Sequence, residues 1–160
     1  MAYSPVEISN NLLKRAFDED VEVSPMKLQK LLYFTASEYA KRTQRPLLDG
    51  YFQKWAYGPV VRSVYDEFRS FGGRPIRSYG KDAQGKAYLV SEASDRDLKA
   101  SVNDVWRAAK EMSAVRLSRI THLPDSAWAK TGDNAPISED DIRNDLSYCS
   151  ALDLPRATVR

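Results

Sequence analysis

The sequence has 160 residues, enough for one domain with a sizeable hydrophobic core. Hydrophobic residues make up 42% of the chain and charged residues 29%, with a formal net charge of +2, and this balance excludes a disordered protein. The sequence contains no apolar run of membrane-spanning length and no signal-peptide pattern, and its single cysteine, Cys149, excludes an internal disulfide, so we expect a cytoplasmic protein.

Two serine–proline pairs predict the starts of the first two helices. Ser4-Pro5 and Ser24-Pro25 each combine a capping side chain with a proline suited to the first helical position. The first helix should end at the acidic cluster 18–20, and the second should run from Met26 to about Lys41. Helical periodicity places the charged residues of the second helix largely on a polar side, away from its apolar stripe: Lys27, Lys30, Glu38 and Lys41.

An aromatic segment follows the second helix. Alternation over 51–55 predicts a short strand that ends at Gly58-Pro59. Pro59 is then expected in the first turn of a third helix, which reaches Phe71 and stops at Gly72-Gly73. Apolar residues recur along this helix and form a buried stripe: Val61, Val64, Tyr65, Phe68 and Phe71.

The second half of the chain predicts a hairpin and two more helices. Apolar and aromatic residues on both sides of the polar, basic stretch 80–86 predict a β-hairpin over 76–90. A long helix starts near Ser94 and continues to about Leu117, and Ser138 caps a final helix. The chain is therefore expected to be mainly α with a small β-hairpin, an α+β fold. It should form a single compact domain over 1–150 with a flexible tail over 151–160.

Charge and element order leave a DNA-binding function open. Basic residues outnumber acidic ones over 24–90, whereas both flanks are net acidic, which suits a nucleic-acid backbone or an acidic protein surface. The first 90 residues follow the winged-helix order, with 59–71 as recognition helix and the hairpin as wing. Against this, Asp66 and Glu67 on that helix would repel DNA. The predicted phosphate contacts are Arg62, Arg77, Lys81 and Lys86.

Few residues in the sequence suit catalysis or metal binding. Ser118 and Asp125 lie near the single histidine, His122, but no strand-turn-helix context presents the serine as a nucleophile. A structural hydrogen-bonding role for His122 is the better interpretation. One histidine and one cysteine do not make a zinc site, and no glycine pattern is suited to phosphate. We therefore expect no enzymatic activity, no metal and no cofactor.

Aromatic residues favour a protein-interaction module as the other function. Tyr33, Trp55 and Tyr57 are amphipathic aromatics of the kind enriched at interface hot spots. For Trp55, ordinary core packing explains the residue equally well. Composition does not decide between these roles.

Two stretches of the sequence resemble the Panacea domain, the antitoxin SocA-like family formerly described as a phage-associated domain of unknown function. The first combines MKLQKLLYF at 26–34 with WAYGPVV at 55–61. The second combines LSRITH at 117–122 with a later tryptophan, although the family's acidic residue and proline before that tryptophan are replaced here by Asp125-Ser126-Ala127. The resemblance covers roughly 4–148, and the motif residues are Leu28, Leu31, Gly58, Pro59, His122 and Trp128.

The resemblance implies a mainly helical antitoxin that neutralises a toxin encoded beside it by direct protein contact. Members of the family pair with many unrelated toxins, and one is thought to deliver its toxin to a protease. The contact surface expected here comprises Lys30, Tyr33, Trp55 and Tyr57, with the aromatics as buried anchors and the lysine as an electrostatic contact. A winged-helix-like regulator that represses its own operon is the alternative.

Overall fold

The structure is a computed structural model that describes residues 2–155. These residues form six α-helices and one two-stranded antiparallel sheet, which confirms the mainly α fold class with a small β-hairpin. The elements in chain order are α1 (Pro5–Glu19), α2 (Pro25–Thr43), β1 (Gln53–Trp55), β2 (Gly58–Val60), α3 (Arg62–Phe68), α4 (Arg96–Ala109), α5 (Ala114–Thr121) and α6 (Glu139–Arg143). Short 3₁₀ turns cover Arg69–Phe71 and Glu92–Ser94.

The predicted helix starts are confirmed by their capping hydrogen bonds. The Ser4 hydroxyl accepts from the Glu7 amide at 3.3 Å, and the Ser24 hydroxyl accepts from the Lys27 amide at 3.3 Å. Ser138 caps α6 in the same way. These signals are local, so the sequence alone is enough to place them.

Helix α2 is the centre of the fold, and its solvent-facing side was wrongly predicted. It contacts α1, α3, α4, α5, α6 and β2, which together leave little of its surface in water. The four charged residues assigned to the polar side are consequently buried: Lys27, Lys30, Glu38 and Lys41. Each has an internal hydrogen-bond partner, as when the Lys27 ammonium donates to the Lys110 carbonyl at 2.5 Å. The polar stripe of α2 therefore faces other parts of the protein, not solvent.

The antiparallel strand pair lies earlier in the chain than predicted. Strands β1 and β2 pair with Gln53 opposite Val60 and Trp55 opposite Gly58, and a two-residue turn joins them. Pro59 therefore lies in β2 and does not start a helix, because α3 begins at Arg62. The other edge of β1 is covered by the segment 134–137, since the Lys54 amide donates to the Ala135 carbonyl at 3.0 Å.

The predicted β-hairpin over 76–90 is wrong, because side chains of α1 bind the backbone of this segment. The Asn10 side chain donates to the carbonyls of Gly80 (3.0 Å) and Tyr88 (2.9 Å) and accepts from the Gly80 amide (2.8 Å). Asn11 binds both backbone groups of Val90 in the same manner. No strand pair follows α3 within residues 2–155, so the winged-helix order is not formed.

The chain after α3 differs from prediction at two further points. The single long helix from Ser94 to Leu117 is wrong, since α4 ends at Ala109 and Ser113 caps a separate helix, α5. Leu152 and Leu154, within the predicted tail, pack against the core, while 156–160 lie outside the described residues. None of the helices between residues 2 and 155 is long and apolar enough to cross a membrane.

Candidate partner-binding site

Residues of the second motif hold the backbone of the β1–β2 turn. The indole N–H of Trp128 donates to the Trp55 carbonyl at 2.7 Å, and the Ser118 hydroxyl donates to the Tyr57 carbonyl at 2.6 Å. His122 Nε2 lies 2.8 Å from the carbonyl of Ala56. Three consecutive carbonyls of the turn are thus each bound from α5 or the segment after it. This arrangement fixes the turn in one conformation.

The contacts of the His122 ring are those of a structural residue and not of a catalytic base. This ring packs against Trp128 at a tilt of 42° with the centroids 3.8 Å apart, and its Nδ1 lies 2.6 Å from the Ser118 carbonyl. The Ser118 hydroxyl binds the turn and makes no hydrogen bond with the His122 ring. A nucleophile–base pair is therefore not formed in this geometry. Among the residues described, no cluster of histidine, cysteine and acidic side chains could hold a metal ion.

Gly58 allows the turn to sit directly on α2 and α5. Its φ is +122°, and a Cβ atom there would lie 2.7 Å from both Lys30 Cε and Thr121 Oγ1. The other motif residues near it are structural in kind: Leu28 and Leu31 are buried in the core, and Pro59 provides the carbonyl that Lys30 binds at 2.9 Å. The first motif therefore builds the platform for the turn.

We predict that Gly58→Ala lowers the free energy of unfolding by about 3 kcal/mol, because the new side chain meets both an unfavourable φ and close neighbours. Urea unfolding followed by circular dichroism measures the change. Gly73→Ala is the matched control, since no atom lies within 4 Å of a Cβ built at Gly73 and it should leave stability unchanged. Equal stability of the two variants would contradict this account of the turn.

An apolar cavity of about 260 Å³ opens beside the turn, between the start of α2 and α3. Its walls come mainly from apolar and aromatic residues: Pro25, Met26, Trp55, Tyr57, Val60 and Tyr65. The rings of Trp55 and Tyr65 meet edge to face with centroids 4.9 Å apart. Arg62 lies over both rings, at 5.9 Å and 6.0 Å from their centroids. The cavity is thus a pre-formed aromatic pocket, and Arg62 packs against two of the rings that form its walls.

The structure divides the four predicted contact residues between surface and interior. Tyr57 is 69% exposed at the tip of the turn, and Trp55 is half-buried beside it. Tyr33 is buried, and its hydroxyl donates to the Asp145 carboxylate at 2.5 Å. Lys30 is only 1% exposed but lines the inner part of the cavity. Trp55, Tyr57 and Lys30 therefore share one pocket, whereas Tyr33 lies beneath the surface.

Burial shifts the pKa values of the two interior residues, in opposite directions. It raises the pKa of the Tyr33 hydroxyl well above its usual value, an effect to which the adjacent Asp145 contributes. It lowers the pKa of the Lys30 ammonium to about 7, because removal from water disfavours the charged form. A carboxylate would have to lie within a few ångströms of the Lys30 ammonium to offset this lowering of its pKa. None of the described residues forms an ion pair with Lys30.

Tyr65 and Gln29 line the pocket but were not predicted as functional. Tyr65, assigned to the buried stripe of the third helix, is 36% exposed and forms a wall of the cavity. Gln29 fastens α2 to the junction between β2 and α3, since its side-chain amide donates to the Val61 carbonyl at 3.2 Å and accepts from the Val61 amide at 3.0 Å. Position 29 lies on a polar stripe with Tyr33, and this spacing is the signal that could have identified it.

The predicted nucleic-acid contacts are exposed, but each has an acidic neighbour. Arg62 lies 3.2 Å from Asp66, and Arg77 lies 3.8 Å from Glu22. The backbone amides of Lys81 and Lys86 donate to the side chains of Glu67 and Asp82, respectively. These carboxylates reduce the positive potential that a phosphate backbone would require.

Comparison with known proteins gives the class of this domain. The model of the family described as "Antitoxin SocA-like, Panacea domain" matches residues 28–129, which include the second motif and all of the first except its first two residues. The chain belongs to this family. The antitoxin SocA of Caulobacter vibrioides (strain NA1000 / CB15N) is 34% identical to it over 124 residues, 76% of this chain and 66% of SocA. The chain thus matches just under two thirds of the length of that relative, and no solved structure matches it.

Proposed function

We propose that this protein is an antitoxin that neutralises a protein toxin by direct contact at the pocket beside the β1–β2 turn. The observation that carries the proposal is the exposure of Tyr57 and the half-burial of Trp55 on a turn whose carbonyls are bound by Ser118, His122 and Trp128. The family membership and the similarity to antitoxin SocA support the antitoxin role.

Physical chemistry favours this pocket as the contact surface. Large aromatic side chains contribute most of the affinity at hot spots, provided that they are presented without a large entropic cost. The hydrogen bonds to the turn already fix, in the free protein, the backbone that presents Trp55 and Tyr57, so binding loses less conformational entropy there. A partner that covers Tyr57 would also remove an exposed ring from water.

Growth rescue tests the proposal. Expression of the neighbouring gene product alone should stop growth, and co-expression with this protein should restore it. We expect the combined variant Trp55→Ala, Tyr57→Ala to lose rescue, because each hot-spot truncation weakens binding by roughly thirtyfold. Tyr51→Ala, at another exposed tyrosine that does not line the pocket, is the matched control and should rescue normally.

Two results would count against the proposal. Normal rescue by the combined variant, with an unchanged circular dichroism spectrum and soluble yield, would remove the pocket from the contact surface. Growth that continues when either neighbouring gene is expressed alone would remove the antitoxin role itself.

The DNA-binding alternative has less support. The hairpin that would serve as the wing is not formed, and carboxylates lie beside the basic residues assigned to phosphates. A gel shift with the protein's own promoter at low salt tests this alternative directly, because nonspecific phosphate contacts are strongest there.

A further inference from the structure

The pocket contains a buried lysine that the protein itself leaves without a carboxylate. The Lys30 ammonium has three N–H donors, and its one hydrogen bond in the described structure goes to the Pro59 carbonyl at 2.9 Å. The other titratable residues that line the cavity are Tyr57, Tyr65 and Arg69, none of which can neutralise a cation. In this apolar surrounding the charge is weakly screened.

A second buried lysine of the same helix shows how the fold compensates such a group elsewhere. Lys41 lies 3.2 Å from the Glu38 carboxylate and donates to the Tyr148 hydroxyl at 2.8 Å and the Asp145 carbonyl at 2.5 Å. Lys30 has no comparable set. The difference lies in location, because Lys41 is enclosed by the core whereas Lys30 lines a cavity that opens to the surface.

The surroundings of Lys30 also leave room for its ammonium at the base of the turn. A Cβ on residue 58 would lie 2.9 Å from Lys30 Nζ, so the glycine at this position keeps the space around the nitrogen open. The cavity walls of Trp55, Tyr57 and Tyr65 would shield an incoming acidic group from water. Charge-assisted hydrogen bonds are strongest under these conditions.

We propose that the pocket binds an aspartate or glutamate side chain of the toxin, whose carboxylate pairs with Lys30 while apolar neighbours of that residue pack on Trp55 and Tyr57. This inference rests on the proposed function and specifies the chemistry of the partner at the same site. The complex then supplies the negative charge that the free protein lacks at Lys30. The lowered pKa of Lys30 supports this view, since a carboxylate partner raises the pKa of an ammonium group.

Binding of purified toxin, the neighbouring gene product that stops growth, tests the inference by calorimetry. We expect Lys30→Met to weaken binding by about tenfold or more, because it removes the charge but keeps a side chain of similar length. Lys30→Gln retains a donor for the Pro59 carbonyl and should lose affinity as well. Lys99→Met, at an exposed lysine on α4, is the matched control and should bind normally.

A double-mutant cycle identifies the toxin residue. Acidic residues of the toxin are changed one at a time to asparagine or glutamine, and one such change should weaken binding to the unmodified antitoxin but not to Lys30→Met. The ¹³Cε signal of Lys30 gives an independent readout, since its pKa should rise by more than about one unit in the complex.

The outcomes separate this inference from the proposed function. Binding by Lys30→Met within about twofold of normal, or no toxin carboxylate coupled to Lys30, would overturn the carboxylate pairing. If Trp55→Ala, Tyr57→Ala abolishes rescue in that case, the pocket still binds the toxin and only the role of Lys30 fails. If neither set of variants weakens binding, both proposals fail together.

Discussion

Asp145→Ala is expected to lower the free energy of unfolding by about 4 kcal/mol, since it removes a buried carboxylate with several donors around it. The Asp145 side chain accepts from the Tyr33 hydroxyl at 2.5 Å and from the Ala127 amide at 3.2 Å. It also accepts from the amide and hydroxyl of Ser147, at 2.9 Å and 2.5 Å. Alanine would leave the Tyr33 hydroxyl and the Ala127 amide buried without their partner.

The effect of this change should extend to the pocket. Ala127 precedes Trp128, whose indole binds the Trp55 carbonyl and packs against the His122 ring. Loss of the bond to the Ala127 amide should therefore loosen the turn that presents Trp55. We expect faster hydrogen exchange of the amides in β1 and β2, in addition to the loss of stability.

Urea unfolding measures the stability change, and two variants make the comparison specific. Asp145→Asn keeps one oxygen acceptor and the side-chain volume, so about half of the loss is expected. Asp133→Ala removes a carboxylate whose side chain is 93% exposed, and it should unfold at the same urea concentration as the unmodified protein. A loss below about 1 kcal/mol for Asp145→Ala would show that water or another acceptor replaces the carboxylate.

Helix starts could be predicted from the sequence because their causes are local. Ser4, Ser24 and Ser138 each accept a hydrogen bond from an amide three residues later, and that spacing can be seen without any tertiary information. Ser113 provides the same signal, but the apolar periodicity of the preceding helix continues across it and favoured one long helix. The serine cap, and not the apolar periodicity, determines where α5 begins.

The position of the sheet could not be predicted in the same way. The segment 76–90 has the alternation and turn residues of a hairpin, yet Asn10 and Asn11 bind its backbone from about seventy to eighty residues away in the chain. A side chain that competes for the same amides and carbonyls leaves no trace in the local pattern. Fold class was therefore predictable, whereas the placement of the strands depended on tertiary contacts.

The site was predictable where residue type and turn chemistry agree. Tyr57 lies next to Gly58-Pro59, and its residue type and this neighbouring turn sequence both indicate an exposed turn. Tyr33 could not be placed, because its polar stripe on α2 faces Asp145, which lies 112 residues later in the sequence. The roles of His122 and Trp128 likewise depend on carbonyls 66 and 73 residues away. Family resemblance selected these residues, and geometry supplied their function as supports of the turn.

Lys30→Met is expected to change stability in the opposite direction to the other variants. Burial lowers the pKa of Lys30 from 10.5 to about 7, so the unfolded chain binds a proton near neutral pH more readily than the folded protein does. At pH 7 this difference disfavours folding by about 4 kcal/mol, and methionine removes it. Methionine also leaves the Pro59 carbonyl without its donor, so we expect a net stabilisation of about 2 kcal/mol.

The pH dependence of the stability difference between Lys30→Met and the unmodified protein distinguishes an electrostatic effect from a packing effect. Above pH 10.5 Lys30 is neutral in both states and its burial carries no electrostatic cost; as the pH falls towards 7 the cost grows, and below 7 it is complete. The stability difference between Lys30→Met and the unmodified protein should therefore change by about 3 kcal/mol between pH 7 and pH 9.5, from an advantage of about 2 kcal/mol to a disadvantage of about 1 kcal/mol. Groups common to both proteins cancel in the comparison, which urea unfolding at each pH provides. A stability difference that stays constant with pH would mean that Lys30 is charged to the same extent in the folded and unfolded states.

Stability and binding of Lys30→Met can then be compared. If this variant is more stable than the unmodified protein and also binds the toxin more weakly, the lysine at position 30 is maintained for binding at the expense of stability. This is the result required of a buried cation that pairs with a carboxylate of the partner.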